Sequence, residues 1–232
     1  MNMIKCRDDL QNNVKTKYYK IFLAGLILTI LASGTMSFVA WSQEKHRPMV
    51  LMGMVINTMQ ENDMDLEVSI HEKGNDYVLQ FNGNLFQNHV MTGTLLDYDL
   101  KLIKRNNNLV YVKDKKDNLW KNSSELGLEA LSGFVLTPKE ILTALKPFIE
   151  HARFPEGNGQ ENKQILIYVS SHELEGTGFI KQFKNLKEPL SLEVSVSIAD
   201  NLFFVEQLKL SFFDARNEEL VLERTYFLEP MS

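Results

Sequence analysis

Between Ile21 and Trp41 the chain runs for 21 residues without a charged side chain. About 20 apolar residues in a helix cross the hydrocarbon of a bilayer, so this stretch predicts a membrane-spanning helix. Extending it back to Tyr18 adds one charge, Lys20, and brings in Tyr18 and Tyr19, which with Trp41 bracket the segment. Such rings suit the boundary between hydrocarbon and water. The segment 18–41 therefore reads as a signal-anchor. A secretory signal cleaved near Ala32-Ser33-Gly34 is the competing reading, although apolar residues continue beyond it through Met36, Phe38 and Val39.

Basic residues set the orientation. Lys5, Arg7, Lys15, Lys17 and Lys20 precede the segment, whereas only Lys45 and Arg47 follow it closely. The positive-inside rule places a tail, residues 1–17, in the cytoplasm and an extracytoplasmic domain, residues 45–232, on the far side of the cell membrane. Cys6, the only cysteine, lies in the tail, so the domain must fold without disulfides or cysteine-rich metal sites. It also precedes the apolar stretch, whereas lipoprotein processing needs a cysteine after it.

Charge argues against one class of partner. The chain carries −5 overall, while residues 1–20 carry +3, leaving −8 for the rest. A domain of that sign, with no basic stripe evident along the sequence, is ill suited to nucleic acid. Apolar residues at 44% and charged residues at 24% are those of a folded chain.

Past Pro48, the apolar side chains of Met49, Met52, Val55, Ile56 and Met59 recur at helical spacing. The period then becomes two: Met64, Leu66, Val68 and Ile70 alternate with polar residues, as in a strand with one buried face. Further strands are predicted at Tyr77 to Phe81, less regularly from Leu85 to Leu96, at Leu100 to Ile103, and at Leu109 to Val112, with a turn at Asn106-Asn107-Asn108. Thr137-Pro138-Lys139-Glu140 combines an N-cap, a proline at the first helical position and a capping-box glutamate. It predicts a helix carrying Ile141, Leu142, Leu145, Phe148 and Ile149 on one side, with Pro147 kinking or ending it. After the polar loop 154–163, strands are predicted at Ile165 to Val169, Leu190 to Ile198, Leu202 to Phe213 and Leu220 to Leu228, closing as an antiparallel meander.

This order, with the Tyr111-Val112-Lys113 to Leu119-Trp120 hairpin segment and the Thr137-Pro138 helix, resembles the LolA-like and LppX-like bacterial lipoprotein superfamily over roughly residues 45–228. The resemblance implies an α+β fold: a curved antiparallel sheet, an unclosed half-barrel, packed on helices around a hydrophobic cavity that in several members holds acyl chains. It implies a membrane-anchored member without a lipobox. The cavity-lining candidates are then Met52, Val55, Ile56 and Met59 on the first helix, and Leu66 and Val68 on the first strand. Ile141 and Leu145 on the second helix join them, with Leu192, Val194 and Val196 on a late strand. Methionine thioethers suit adaptable apolar sites, and they also fill ordinary cores.

Chemistry-bearing motifs are lacking. His46, His71, His89, His151 and His172 occur singly, without metal-ligand spacing. No nucleophile elbow, phosphate loop or dinucleotide fingerprint appears, and Gly74, Gly83 and Gly93 read as turn or bulge positions. No enzyme, metal or cofactor is expected. The predicted function is a tethered, non-catalytic binding domain for a lipid-like or other apolar ligand. The alternative is a cell-envelope sensor or protein-interaction domain with no ligand cavity. The corresponding partners are the lipid bilayer, an apolar ligand or an envelope protein, and not nucleic acid.

Overall fold

The computed structural model describes residues 48–231 apart from 62–63, 88, 106–108, 117, 156–163, 176, 184–185, 188 and 200–203. The tail 1–17 and the predicted membrane helix 18–41 lie outside the described residues. Among the described residues no helix is long and apolar enough to cross a membrane.

Eleven strands form one open antiparallel sheet in the order β6-β5-β4-β3-β2-β1-β11-β10-β9-β8-β7. They are β1 (Leu66–Gly74), β2 (Val78–Leu85), β3 (Met91–Leu95), β4 (Leu100–Arg105), β5 (Leu109–Lys113), β6 (Trp120–Asn122), β7 (Ala152–Arg153), β8 (Gln164–Val169), β9 (Leu190–Ile198), β10 (Val205–Asp214) and β11 (Leu220–Pro230). Two sequence-local meanders, β2 to β6 and β7 to β10, are joined at the centre by β1 and β11. These two pair from Leu66↔Pro230 to Gly74↔Leu222. The outermost strands have only two and three residues, and short edges give a second chain little backbone to pair with.

One face of the sheet is covered by α1 (Pro48–Glu61), α2 (Leu131–Phe134), α3 (Pro138–Ala144) and short 3-10 turns. Met52, Val55, Ile56 and Met59 bury the stripe of α1 seen in the sequence. The helix packs on α3, on the 3-10 turn Lys146–His151 and on β7. Regular α-helix ends at Ala144 and continues as that 3-10 turn, as expected of Pro147, which cannot donate an i−4 hydrogen bond. On β1, Leu66, Val68 and Ile70 point inward while Glu67 and His71 are exposed. Inward residues of β8 to β11 complete a single core.

Three strand readings change. The irregular stretch 85–96 divides into a chain reversal over 86–90, closed by the Phe86 amide donating to the Val90 carbonyl at 2.9 Å, and the short strand β3 over Met91–Leu95. The strand expected from Leu202 begins at Val205. Gly83 and Gly93 are neither turns nor bulges: they face each other mid-strand. A Cβ on Gly83 would lie 2.1 Å from the Thr92 carbonyl oxygen, and one on Gly93 would lie 2.3 Å from that of Asn82. The ring of Phe81 lies across both glycines, so close approach of two backbones requires glycine here.

The charge reading changes too. Residues 100–121 hold seven basic side chains against Asp114 and Asp117, or +5 in a chain of −5. Strand alternation sends Lys101, Arg105 and Lys113 to the face away from the core, so a basic face exists although the sequence shows no contiguous stripe.

Candidate functional site

At the end of the sheet where β1 begins, an apolar cleft of about 80 Å³ opens between the end of α1 and the strand termini. Met59, Met64, Leu66, Leu85, Phe86 and Phe204 form its walls, and Thr58, Gln87, His89 and Lys139 its polar rim. The rim is held by named contacts. The Gln87 amide donates to Asp65 Oδ1 at 2.9 Å. Lys139 Nζ donates to the Gln60 carbonyl at 2.9 Å, satisfying an end carbonyl of α1 with a cation.

Such a volume holds roughly five water-sized groups, taking about 15 Å³ for each. Pockets for whole drug-sized ligands begin near 300 Å³, so the cleft fits a short apolar segment and not a complete acyl chain.

The eleven cavity-lining candidates are brought together in one core, each buried to within 8%. Only Met59 and Leu66 reach the cleft. The other nine, Met52, Val55, Ile56, Val68, Ile141, Leu145, Leu192, Val194 and Val196, fill the interior with side chains. Met64, Leu85, Phe86 and Phe204 line the opening without having been among the candidates. Met64 precedes β1 and Leu85 closes β2, both in the inward phase of those strands, which was the available signal.

At the same end of the sheet, in the cross-strand row Leu85–Met91–Lys104, stands a buried lysine. Lys104 on β4 is 3% exposed and is paired with Glu140 Oε2. Burial pulls its ammonium below the ordinary lysine range, against the opposing attraction of Glu140. The same oxygen accepts from the Thr137 amide at 2.6 Å and the Thr137 hydroxyl at 2.9 Å, while Thr137 Oγ1 accepts from the Glu140 amide at 3.2 Å. The predicted capping box is present, and Lys104 ties it to the sheet.

The opposite end of β1 carries a different device. Arg224 on β11 is paired with Glu72 of β1, both almost wholly buried. Its Nη1 donates to the Gly133 carbonyl at 2.7 Å and lies 3.4 Å from the Tyr226 hydroxyl. The guanidinium sits between the rings of Phe183 and Phe134, at 4.7 and 5.5 Å. Tyr77 donates to the second Glu72 oxygen at 2.8 Å. Burial pushes the Tyr226 hydroxyl up to about 12. A gap of about 50 Å³ adjoins the cluster.

Among the described residues no group of three His, Cys, Asp or Glu side chains could hold a metal. His151 faces Glu173 at 2.9 Å, and Ser170 holds that carboxylate below its usual range through hydroxyl and amide hydrogen bonds. Ser170 and Glu173 thereby cap α4 (Ser171–Leu174).

No protein-family model matches the sequence, and no curated protein matches it. Among solved structures, a DUF1329 family protein from Desulfovibrio piger is similar over 77% of this chain and 90% of its own, at 8% identity and a TM-score of 0.29. That degree of similarity carries no argument about fold or function.

Proposed function

We infer that this chain is a membrane-tethered, extracytoplasmic, non-catalytic domain that receives the end of a lipid-like or other apolar molecule in the cleft at the start of β1. The apolar walls of that cleft carry the reading, with two unbranched methionines that can change rotamer to admit a ligand. The open sheet with helices on one face accords with the curved half-barrel of the LolA-like superfamily. The tether rests on the uncharged stretch Ile21 to Trp41.

A second reading has its own support. An interior filled by nine of the eleven expected lining residues suits an envelope sensor or interaction domain that holds no ligand.

Native mass spectrometry of the detergent-extracted chain, followed by lipid extraction, separates the two. A retained apolar molecule is the expected result. The delipidated chain should then take up a fluorescent fatty acid, and Met59→Trp, which fills the cleft from its wall, should reduce uptake while leaving the fold intact. Met52 and Leu145 are unsuitable for this test, since tryptophan at a wholly buried position overpacks the core. Absence of both retained lipid and probe uptake would establish the second reading.

A further inference from the structure

On strands β3 to β6 the face turned away from the core combines free cations with apolar and aromatic side chains. Lys101, Arg105 and Lys113 project from it, and among the described residues none of the three is in an ion pair. Between them the register sets Ile103 opposite Tyr111, Leu109 opposite Arg105, and Trp120 opposite Lys113. The guanidinium of Arg105 stands 5.4 Å from the centre of the Tyr111 ring. Leu109 and Trp120 are 41% and 43% exposed. None of these four strands contains an aspartate or glutamate. Acids lie only in the flanking turns: Asp99 pairs with Lys115, Asp114 with Lys121, Asp97 accepts from the Gln80 amide, and Glu125 follows β6. Elsewhere on the same side of the sheet, exposed Tyr168 and Phe227 and the cations Lys73 and Lys209 lie among Glu67, Glu193, Glu223 and Glu229 of β1, β9 and β11, so a basic and aromatic face whose strands carry no acid belongs to one wing.

We propose that this wing docks flat on an anionic phospholipid surface, with Trp120, Tyr111 and Leu109 at headgroup depth and Lys101, Arg105 and Lys113 on lipid phosphates. The chemistry selects this occupant. Tryptophan and tyrosine favour the interface, and lysine and arginine lay their hydrocarbon stems on apolar surface while their charges stay in water. A soluble polyanion would engage the cations but leave the aliphatic side chains of Ile103 and Leu109 without a partner. The proposal rests on the tether reading for one quantity only. A chain anchored through Ile21 to Trp41 holds the wing at high effective concentration beside the bilayer, so modest attraction suffices. Each basic side chain near an anionic surface contributes about a fivefold factor, and three give on the order of a hundredfold.

The chain offers its own reporter. Trp41 and Trp120 are its only tryptophans, so Trp41→Phe leaves Trp120 alone. The full chain carrying that change is placed in nanodiscs of phosphatidylcholine with and without phosphatidylglycerol, with brominated acyl chains as quenchers. The expected result is blue-shifted, bromine-quenched Trp120 emission in the anionic discs only. High salt, and separately Lys101→Glu with Arg105→Glu and Lys113→Glu, should return the spectrum to that of exposed tryptophan, the docked-to-free ratio falling about a hundredfold. Equal emission in both discs, or quenching untouched by the charge reversals, would overturn the proposal. Heparin binding by chain in the neutral discs, with no change in the anionic ones, would overturn it in favour of a soluble polyanion. If the chain fails to insert in discs at all, the tether reading fails by itself. Co-flotation with phosphatidylglycerol vesicles then decides the wing: flotation lost on charge reversal supports it, and no flotation overturns it.

Discussion

The two ends of the sheet each bury one cation, and they treat it differently. Arg224 spreads its planar fork over Glu72, the Gly133 carbonyl and the Tyr226 hydroxyl, between two phenyl rings, and its carboxylate partner is as buried as itself. Lys104 has one acceptor, Glu140, whose side chain is 35% exposed and already caps a helix. Guanidinium can satisfy several acceptors in one plane, while a lysine ammonium is a compact charge that loses its proton more readily when buried. The polar end is thus a lock that cannot be opened on one side without stranding a charge. The cleft end is a looser tie, at the same end of the sheet as an apolar opening with two methionines in its wall.

The contrast is broken most directly by the same substitution at both positions. Arg224→Met leaves Glu72 buried without its partner and should cost about 3–5 kcal/mol, whereas Lys104→Met leaves a half-exposed Glu140 that keeps its Thr137 contacts and should cost under about 1 kcal/mol. Urea unfolding of the two variants checks this, and similar losses would erase the distinction. The alkaline limb of stability sharpens it next. Tyr226 ionises at the ordinary tyrosine value of 10.0 when unfolded and at about 12 when folded. Its contribution is fully present below pH 10 and is lost as pH rises through about 12, a fall of roughly 2–3 kcal/mol. Unfolding free energies measured across that window should show the decline in the parent and not in Tyr226→Phe. Smaller than either loss at the polar end is the effect of Thr137→Ala, which removes the cap hydroxyl at the cleft end and should cost about 1 kcal/mol. An unchanged unfolding midpoint would mean that Lys104 and the backbone amide of residue 137 hold Glu140 without the hydroxyl.

What was legible in the sequence follows the range of the interactions. Period-two alternation placed β1 and β9, and the local Thr137-to-Glu140 chemistry placed α3, because both signals lie within a few residues. The second capping box, Ser170 to Glu173, has the same spacing and could have been read the same way. Glu72 continues the inward phase of Leu66, Val68 and Ile70, and Arg224 that of Leu222 and Tyr226, so each was visible as a charge on a buried face. Their partnership was not, since 152 residues separate them and only the β1–β11 register brings them together. The basic wing was hidden by a related effect. Its cations alternate with buried residues, including Lys104, and become one surface only when four strands lie side by side. The cleft was the least legible, because the gap left between packed side chains depends on all of them at once.

The strand order also bears on how the chain is made. Because β11 lies at the middle of the sheet and β1 pairs with it along its whole length, the strand that appears first is completed by the one that appears last. A chain emerging from a ribosome or a translocation pore can form the β2 to β6 meander early, from contacts close in sequence. The edge of β1 that pairs with β11 must wait until residues near Pro230 arrive, so the Glu72–Arg224 pair can form only once β11 has been made. Until then one long central edge stands open, and that interval is when the nascent domain is most exposed to mispairing.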